Sequence, residues 1–211
     1  MNERMYRVND IFYTLQGEGH NTGRAAVFVR FAGCNLRCPF CDTEFDTFQP
    51  MNASQILQAI APYPARFIVL TGGEPTLQVD EAFVDLLHQH GYEVAMESNG
   101  LRPAPQNIDW LTVSPKKSGE ESVERGEWRV EGGERMPDEL KLVFDEHTDP
   151  EAFLKNLKPQ TSNLKPLLYL QPCDTGDAQR NAAIMERCID YIKHHPQWRL
   201  SLQTHKLIGI E

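Results

Sequence analysis

The sequence has few of the features that place a protein in a membrane or on a nucleic acid. None of its 211 residues lies in a run approaching the roughly 20 consecutive apolar residues of a membrane span, and the start lacks the apolar centre of a secretory signal. The 21 lysines and arginines are outnumbered by 30 aspartates and glutamates, which gives a net charge of -9. Binding many phosphates needs clustered basic side chains. We therefore expect a cytosolic protein without a membrane or nucleic-acid partner.

The five cysteines are unevenly distributed. Three of the five cysteines fall within eight residues, and the other two are far away. This is a poor disulfide framework, whereas it suits a soft-metal site in a reducing compartment. A chain of this length with 40% hydrophobic residues can build a single core, so we expect residues 1–211 to form one domain.

Short apolar runs rich in β-branched residues predict seven mostly buried strands. They lie at residues 26–31, 67–70, 93–96, 111–113, 140–144, 167–170 and 199–202. Helical spacing of apolar residues occurs at 79–87 and at 185–192. Gly91 is expected to end the first helix, and Pro196 is expected to end the second. The alternation predicts an α/β fold with a largely parallel sheet, either open or curled towards a barrel.

Residues 117–135 depart from this pattern, with four glycines among six glutamates. They predict a solvated loop, which is either a flexible lid or an acidic surface excursion without function.

Polar clusters follow almost every predicted strand. They lie at residues 34–43, 71–75, 97–100, 114–116, 171–174 and 203–206. In a parallel α/β sheet these positions share the edge formed by the carboxyl ends of the strands, where such folds carry their active sites. The sequence therefore predicts a site at this edge.

The three clustered cysteines, Cys34, Cys38 and Cys41, have the spacing C-x3-C-x2-C and can hold one metal centre on a loop. Soft sulfur ligands select zinc, copper(I) or iron-sulfur clusters. A structural zinc ion needs four ligands, and the fourth would come from Asp46 or a distant histidine. A [4Fe-4S] cluster held by three cysteines leaves one iron open to an outside ligand, as chemistry at a cluster requires. This spacing favours the cluster.

The motif, with an aromatic residue before its last cysteine, resembles the radical S-adenosylmethionine superfamily. Gly72, Gly73, Glu74 and Pro75 are similar to that superfamily's GGE motif, which binds the methionine amino group. The open iron of the cluster would bind the amino and carboxylate groups of the methionine part. The resemblance also implies that the aromatic residue, Phe40, lies near the adenine.

A closer resemblance, from about Ile11 to the carboxyl terminus, is to the 7-carboxy-7-deazaguanine synthase family. It implies an incomplete (β/α) barrel that works as a homodimer with Mg2+. It also implies conversion of 6-carboxy-5,6,7,8-tetrahydropterin to 7-carboxy-7-deazaguanine and ammonia, on the route to queuosine and related 7-deazapurines. The segments that carry the resemblance are TLQGEG at 14–19, RFAGCNL at 30–36, CDT at 41–43, GGEP at 72–75, VSPK at 113–116 and LQTHK at 202–206.

The resemblance assigns roles residue by residue. Thr43 would supply a hydroxyl ligand to Mg2+. The positions implied for S-adenosylmethionine are Phe40, Cys41, Asp42, Gly73, Glu74, Ser114, Pro115, Lys116, Gln171, Pro172, Cys173 and Asp174. Those implied for the pterin substrate are Leu15, Gln16, Gly17, Arg30, Thr71, Glu97, His205 and the terminal Glu211.

Several of these assignments have a structural alternative. Arg30 is expected to clamp the substrate carboxylate, or else to form a buried salt bridge. Glu97 faces the pterin or bonds to its strand end, and the tail that ends at Glu211 enters the pocket or only packs. Cys173 and Cys188 are expected to be packing residues and not cluster ligands.

Two other functions remain open at this stage. One is an activase that uses the same cluster to place a glycyl radical on a protein partner, although the TLQGEG and QTHK segments are not expected there together. The other is a zinc-stabilised binding module without catalysis. A radical enzyme further implies an external one-electron donor of the flavodoxin type, which would need a local docking patch because the net charge is negative.

Overall fold

The computed structural model describes residues 4–38, 41, 43–44, 46–116, 135–156 and 166–210. Within them a nine-stranded sheet has the order β3-β1-β2-β4-β5-β6-β7-β8-β9 and does not close, because β3 and β9 remain at its edges. The strands are β1 (Met5–Leu15), β2 (Ala25–Phe31), β3 (Gln49–Asn52), β4 (Phe67–Gly72), β5 (Glu93–Ser98), β6 (Trp110–Val113), β7 (Glu139–Phe144), β8 (Leu167–Pro172) and β9 (Trp198–Leu200).

The strands from β2 to β9, apart from β3, pair in parallel, and β1 pairs antiparallel with both β2 and β3. The predicted incomplete barrel of mostly parallel strands is therefore confirmed. The described helices are α1 (Ala53–Ile60), α2 (Glu81–Gln89), α3 (Pro150–Asn156), α4 (Ala178–His194) and α5 (Thr204–Ile208), with a 3-10 turn at Pro75–Leu77. No helix among the described residues has the length and apolar composition needed to cross a bilayer.

All seven predicted strands are present, whereas β1 and β3 were missed. The buried side chains of β1 include Tyr6, Val8 and Phe12, but Asn9 and Asp10 interrupt the apolar pattern. The strand predicted at 199–202 is Trp198–Leu200 and ends before Ser201.

The predicted helices are also present, with small differences. The helix predicted from residue 79 begins at Glu81, because the Asp80 side chain accepts a hydrogen bond from the Phe83 amide and caps it. On α4 the buried residues are Ile184 and Cys188, whereas Ile189 of the predicted apolar stripe is exposed. Cys188 is thus a packing residue, as expected.

Strand residues alternate between two environments. On β2, Val27, Val29 and Phe31 belong to the main core, where they pack on the same side as α1 and α2, whereas Phe28 and Arg30 line an interior cavity. The same alternation on β7 places Leu140 in the core and Lys141 in the cavity wall. Alternate residues of these strands thus face the hydrophobic core and the cavity.

The loop between β1 and β2, residues 16–24, lies at the opposite edge from the cysteines. The antiparallel register pairs Leu15 with Ala25, the first residue of a parallel strand, so the loop starts at the amino ends of the strands. We call residues 16–24 the floor loop. Its contacts with the first residues of three strands are an Arg24 ion pair with Glu93, a His20 ring stacked on Trp110, and a His20 amide bond to Glu139.

Below the cavity, Glu139 is a buried carboxyl group held against the floor loop. It accepts a hydrogen bond of 2.9 Å from the His20 amide and is 1% exposed. A Cβ atom on Gly19, whose φ is +64°, would lie 2.0 Å from Glu139 Oε1, so the loop approaches the carboxyl more closely than any other residue type allows. Burial raises the pKa of Glu139 to about 7.

We expect Glu139→Gln to make the protein less sensitive to pH. A carboxyl whose pKa is raised on folding from 4.5 to about 7 keeps a proton that the unfolded chain loses, so its contribution to stability falls as pH rises through that window. The uncharged variant escapes this loss. Its free energy of unfolding, relative to that of the parent, should therefore rise by about 1–3 kcal/mol between roughly pH 5 and pH 8. Denaturant unfolding at both pH values measures this difference, with the exposed Glu186→Gln as control, and a difference that does not change with pH would contradict the prediction.

Candidate active site

A cavity of about 960 Å³ fills the interior of the incomplete barrel. The loop after β2 borders it at the carboxyl edge, where Cys34, Cys38 and Cys41 all line the cavity. The floor loop borders it on the other side through Gln16 and Glu18. A volume of this size accommodates a nucleoside cofactor and a small substrate together.

The loop after β4 locks the cysteine loop in place through backbone bonds. The Gly73 amide donates to Phe31 O at 3.0 Å, and the Glu74 amide donates to Gly33 O at 2.9 Å. A Cβ atom on Gly73 would lie 2.1 Å from Gly33 O and 3.0 Å from the Cβ of Cys34. Glycine is therefore required at this contact, which brings the GGE segment directly against the first cysteine.

The Glu74 carboxylate faces away from the cavity. It is fully buried and accepts hydrogen bonds from the Thr76 amide and hydroxyl, the Ser98 hydroxyl and the Asn99 amide. Glu74 and Pro115, both predicted to contact S-adenosylmethionine, do not line the cavity. The Glu74 side chain instead links the loops after β4 and β5 by hydrogen bonds, so it holds the cavity wall in place without facing the cavity.

The three thiols of the cysteine loop suit a cluster. The structure groups no three His, Cys, Asp or Glu side chains around one point among the residues it describes. The thiols of Cys34, Cys38 and Cys41 nevertheless line the same cavity, and a cubane cluster spaces its ligands more widely than one ion does. Burial raises the pKa of the Cys38 thiol, and the charge of Lys116 opposes that rise.

Two charged groups mark the part of the carboxyl edge expected to hold the cofactor. Lys116 donates to the Ser114 hydroxyl at 2.7 Å, and burial lowers its pKa. The Asp174 carboxylate accepts from the Gly176 amide, the Asn181 side chain and Lys206, and these contacts lower its pKa to about 2. The edge thus offers both a cation and a fixed carboxylate. These suit the charged amino-acid part and the ribose hydroxyls of the expected cofactor.

Arg30 presents a cation to the cavity. Its guanidinium lies 5.2 Å from the centre of the Phe12 ring, and its buried Nε has no hydrogen-bond partner. Within the part of the chain that the structure describes, Arg30 makes no salt bridge, which was the structural alternative. Thr71, its register partner on β4, lines the cavity beside it. The pair can bind a planar anion such as a carboxylate.

A charged network joins the floor loop to two strands. Lys141 forms ion pairs with Glu18 and with Glu97, the latter at 2.8 Å. Gln16 donates to the other oxygen of Glu97 at 2.9 Å, and Gln203 donates to the other oxygen of Glu18 at 3.0 Å. The Glu97 side chain therefore bonds across the barrel and not to its own strand end. Lys141 and Glu18 were missed, although Lys141 interrupts an apolar strand and Glu18 belongs to the TLQGEG segment.

The carboxyl-terminal segment docks onto the floor loop. The amide and hydroxyl of Thr204 both donate to Gly17 O, at 3.0 and 2.9 Å. A Cβ atom on Gly17 would lie 2.1 Å from His205 Nδ1, so the approach requires glycine. These contacts bridge the gap that the unclosed sheet leaves, and they hold His205 at the cavity.

Most of the predicted site residues meet in this cavity. Phe40, Asp42, Glu211 and residues 117–134 of the predicted loop lie outside the described residues. Thr43 is half-buried at the cavity, and Cys173 lines it as well. The predicted residues that line the cavity are Leu15, Gln16, Gly17, Arg30, Cys34, Cys38, Cys41, Thr43, Thr71, Gly73, Glu97, Ser114, Lys116, Gln171, Pro172, Cys173, Asp174 and His205.

Comparison with known proteins gives the family. Residues 28–118 match the Radical SAM superfamily. The 7-carboxy-7-deazaguanine synthase of Bacteroides thetaiotaomicron is 43% identical over 98% of this chain and 99% of its own length. The chain belongs to the 7-carboxy-7-deazaguanine synthase family. Another member, from Bordetella pertussis, is 44% identical over 97% of this chain and 99% of its own.

A solved structure agrees with this family at the level of the fold. The crystal structure of QueE from Escherichia coli superimposes with a TM-score of 0.73 at 28% identity, covering 94% of this chain and 93% of that one. The likeness to 7-carboxy-7-deazaguanine synthases thus extends over nearly the whole chain, beyond the segment around the cysteines.

Proposed function

We propose that the chain is a radical S-adenosylmethionine enzyme that contracts the ring of 6-carboxy-5,6,7,8-tetrahydropterin to 7-carboxy-7-deazaguanine with release of ammonia. This step belongs to 7-deazapurine (queuosine) biosynthesis. One observation carries the proposal: a single cavity is lined by the three cysteines, by Arg30, and by the carboxylates of Glu18 and Glu97 that pair with Lys141. The cysteines suit a cluster, and the other groups suit a pterin that bears a carboxylate.

The cofactor end of the cavity is built from loops. Cys34, Cys38 and Cys41 would hold the cluster, and Gly73, held against the cysteine loop, would let the cofactor approach the backbone. Lys116 would pair with the carboxylate of S-adenosylmethionine. When bound, the cluster and S-adenosylmethionine supply a one-electron cleavage that yields a carbon radical able to abstract hydrogen.

The substrate end orients the pterin and keeps water away. Arg30, with Thr71 beside it, would clamp the substrate carboxylate, and Gln16 and Glu97 would meet its polar ring edge. The floor loop closes the amino-terminal side, so a bound pterin would be enclosed between it and the cofactor. Fixing the reacting C-H next to the radical in a dry cavity is what this chemistry demands of the protein.

We also propose that Thr43 binds Mg2+ with the substrate carboxylate and water. Thr43 lines the cavity close in sequence to Cys41, whose thiol donates to its carbonyl at 3.8 Å. Magnesium often takes few protein ligands and keeps several waters. A threonine hydroxyl, a substrate carboxylate and water are oxygen donors of that kind.

Thr43→Ala is expected to weaken the dependence of turnover on Mg2+ and to lower turnover about tenfold or more. The hydroxyl belongs to an oxygen shell and not to the sulfur ligands, so iron content and substrate-independent cleavage of S-adenosylmethionine should stay near the parent values. Thr43→Ser keeps the hydroxyl and is the matched control. Mg2+ titrations of turnover measure the effect, and a parent-like response in the alanine variant would remove Thr43 from the site.

Anaerobic turnover with the carboxytetrahydropterin tests the main proposal. The expected result is formation of the deazaguanine product and ammonia in the presence of a reductant and S-adenosylmethionine. A preparation that cleaves S-adenosylmethionine but leaves the pterin unchanged would refute the assigned substrate. A colourless protein that contains zinc would refute the radical chemistry as a whole.

We further propose that the chain works in the cytosol as a homodimer and takes its electron from an external donor. Support for the location is that all five cysteines are free, as in reducing compartments. Support for the dimer is that α5 exposes Leu207 and Ile208, which are 71% and 61% accessible. Cys41 is exposed on the cysteine loop, which leaves the cluster position open to a donor.

A further inference from the structure

Lys141 is a buried lysine at the centre of the substrate end. Its side chain is 3% exposed, and it contacts Glu18 on the floor loop and Glu97 on β5, which are 123 and 44 residues away in the sequence. A buried ammonium group is costly unless it is fully paired. Burial alone would lower the pKa of Lys141, but the charges of the two glutamates outweigh it and raise that pKa.

The network fixes all four oxygens of the two carboxylates. Each carboxylate places one oxygen on Lys141, and the other accepts from an amide, Gln203 for Glu18 and Gln16 for Glu97. A carboxylate oxygen can accept more than one hydrogen bond, so each keeps capacity for a donor from the cavity. Glu18 and Glu97 both line that cavity. The wall thus presents a rigid row of acceptors.

The charge balance of this wall depends on Lys141. Two carboxylates share one ammonium group, and the other titratable groups coupled to the network include Lys116, His205 and Glu139. Burial would raise the pKa of Glu18, but the charge and hydrogen bond of Lys141 lower it to about 2. Without the ammonium group, adjacent carboxylates repel each other, and one takes up a proton more readily.

We propose that Lys141 is a positioning residue that holds the carboxylates of Glu18 and Glu97 side by side as charged acceptors for the N-H groups of the substrate ring. This inference rests on the proposed function and assigns a role to a residue that neither the cysteine motif nor the GGE segment includes. Lys141 acts on the substrate through the glutamates, because its ion pairs with described residues are both with them.

Lys141→Met tests the proposal by steady-state kinetics. The KM for the pterin is expected to rise roughly tenfold or more, because the acceptors lose their fixed spacing and one gains a proton. The ratio of the variant KM to the parent KM should grow as pH falls from roughly 8 to 6. The ratio is the measure because Glu139, whose pKa is about 7, acts on the network in both proteins. Iron content and substrate-independent cleavage of S-adenosylmethionine should match the parent. Lys155→Met, an exposed lysine on α3, is the control and should behave as the parent.

The pH dependence separates positioning from general support of the fold. A parent-like KM in Lys141→Met, or a KM raised by the same factor at every pH in that range, would overturn the proposal. If that variant fails to assemble, Glu18→Gln is compared with the double variant Glu18→Gln/Lys141→Met, which leaves one carboxylate and no ammonium group. The double variant should then have a KM at least roughly threefold above that of Glu18→Gln. Equal values would overturn the role of Lys141.

The parent enzyme distinguishes this failure from failure of the proposed function. A parent that does not convert the carboxytetrahydropterin refutes the function itself. A parent that converts it, alongside a Lys141→Met variant whose KM is parent-like or raised by the same factor at every pH, refutes only the positioning role.

Discussion

Replacing Cys34, Cys38 or Cys41 with alanine is expected to abolish both cluster assembly and cleavage of S-adenosylmethionine. These thiols lie on one loop and line one cavity, and a cluster that loses one of three protein ligands is left with two open irons. Iron per chain, measured after anaerobic reconstitution, should fall from about four towards zero. The loss should be the same for each of the three positions.

Cys173→Ala and Cys188→Ala provide matched controls on the same chain. Cys188 is buried in the core beside Trp198, and burial raises its pKa to about 12, which makes it a poor thiolate ligand. Cys173 lines the cavity, but it follows β8 and not the cysteine loop. Both variants should keep the iron content of the parent. Full iron in Cys38→Ala would refute the assignment of the motif.

Arg30→Ala is expected to lower kcat/KM for the pterin roughly 100-fold or more, mostly through KM. A charge-assisted, bidentate pair with a carboxylate in a desolvated pocket is worth about 2–5 kcal/mol when one partner is removed. Arg30 is prepared for such a pair, since its guanidinium is held over the Phe12 ring and no described carboxylate neutralises it. Steady-state kinetics at saturating S-adenosylmethionine measure the loss.

The controls for Arg30 separate charge from geometry. Arg30→Lys keeps the charge but not the planar fork, so it should recover only part of the affinity. Arg102→Ala removes an exposed arginine and should behave as the parent. Iron content and substrate-independent cleavage of S-adenosylmethionine should not change in any of the three. A parent-like KM in Arg30→Ala would mean that another group binds the substrate carboxylate.

The carboxyl edge of the site could be predicted because its signals are local. Each polar cluster directly follows an apolar strand, and parallel strands bring their carboxyl ends together. The three cysteines are likewise close in sequence, so their spacing alone indicates a shared centre. The positions of Cys34, Ser114 and Gln171 in one cavity follow from that argument.

The other side of the site could not be predicted in this way, because it depends on contacts between distant residues. The floor loop comes from the opposite edge of the sheet, after a strand whose polar residues hid its pattern. Lys141 stands at an alternate position of an apolar strand, where a lysine is typical of a solvent-facing residue. Its burial depends on the ion pairs with Glu18 and Glu97, and the residues next to Lys141 in the sequence do not indicate these partners.

The contacts that bridge the open sheet join two segments far apart in the sequence, which also affects how the protein forms during synthesis. The floor loop lies near the start of the chain, and it bonds to Ser201, Gln203 and Thr204 across 182, 185 and 187 residues. At roughly 5–20 residues per second, a ribosome needs about 10–40 seconds to add that length. The floor loop therefore waits roughly that long for these partners to be synthesised. The substrate pocket cannot be complete until residues 201–204 have left the ribosome.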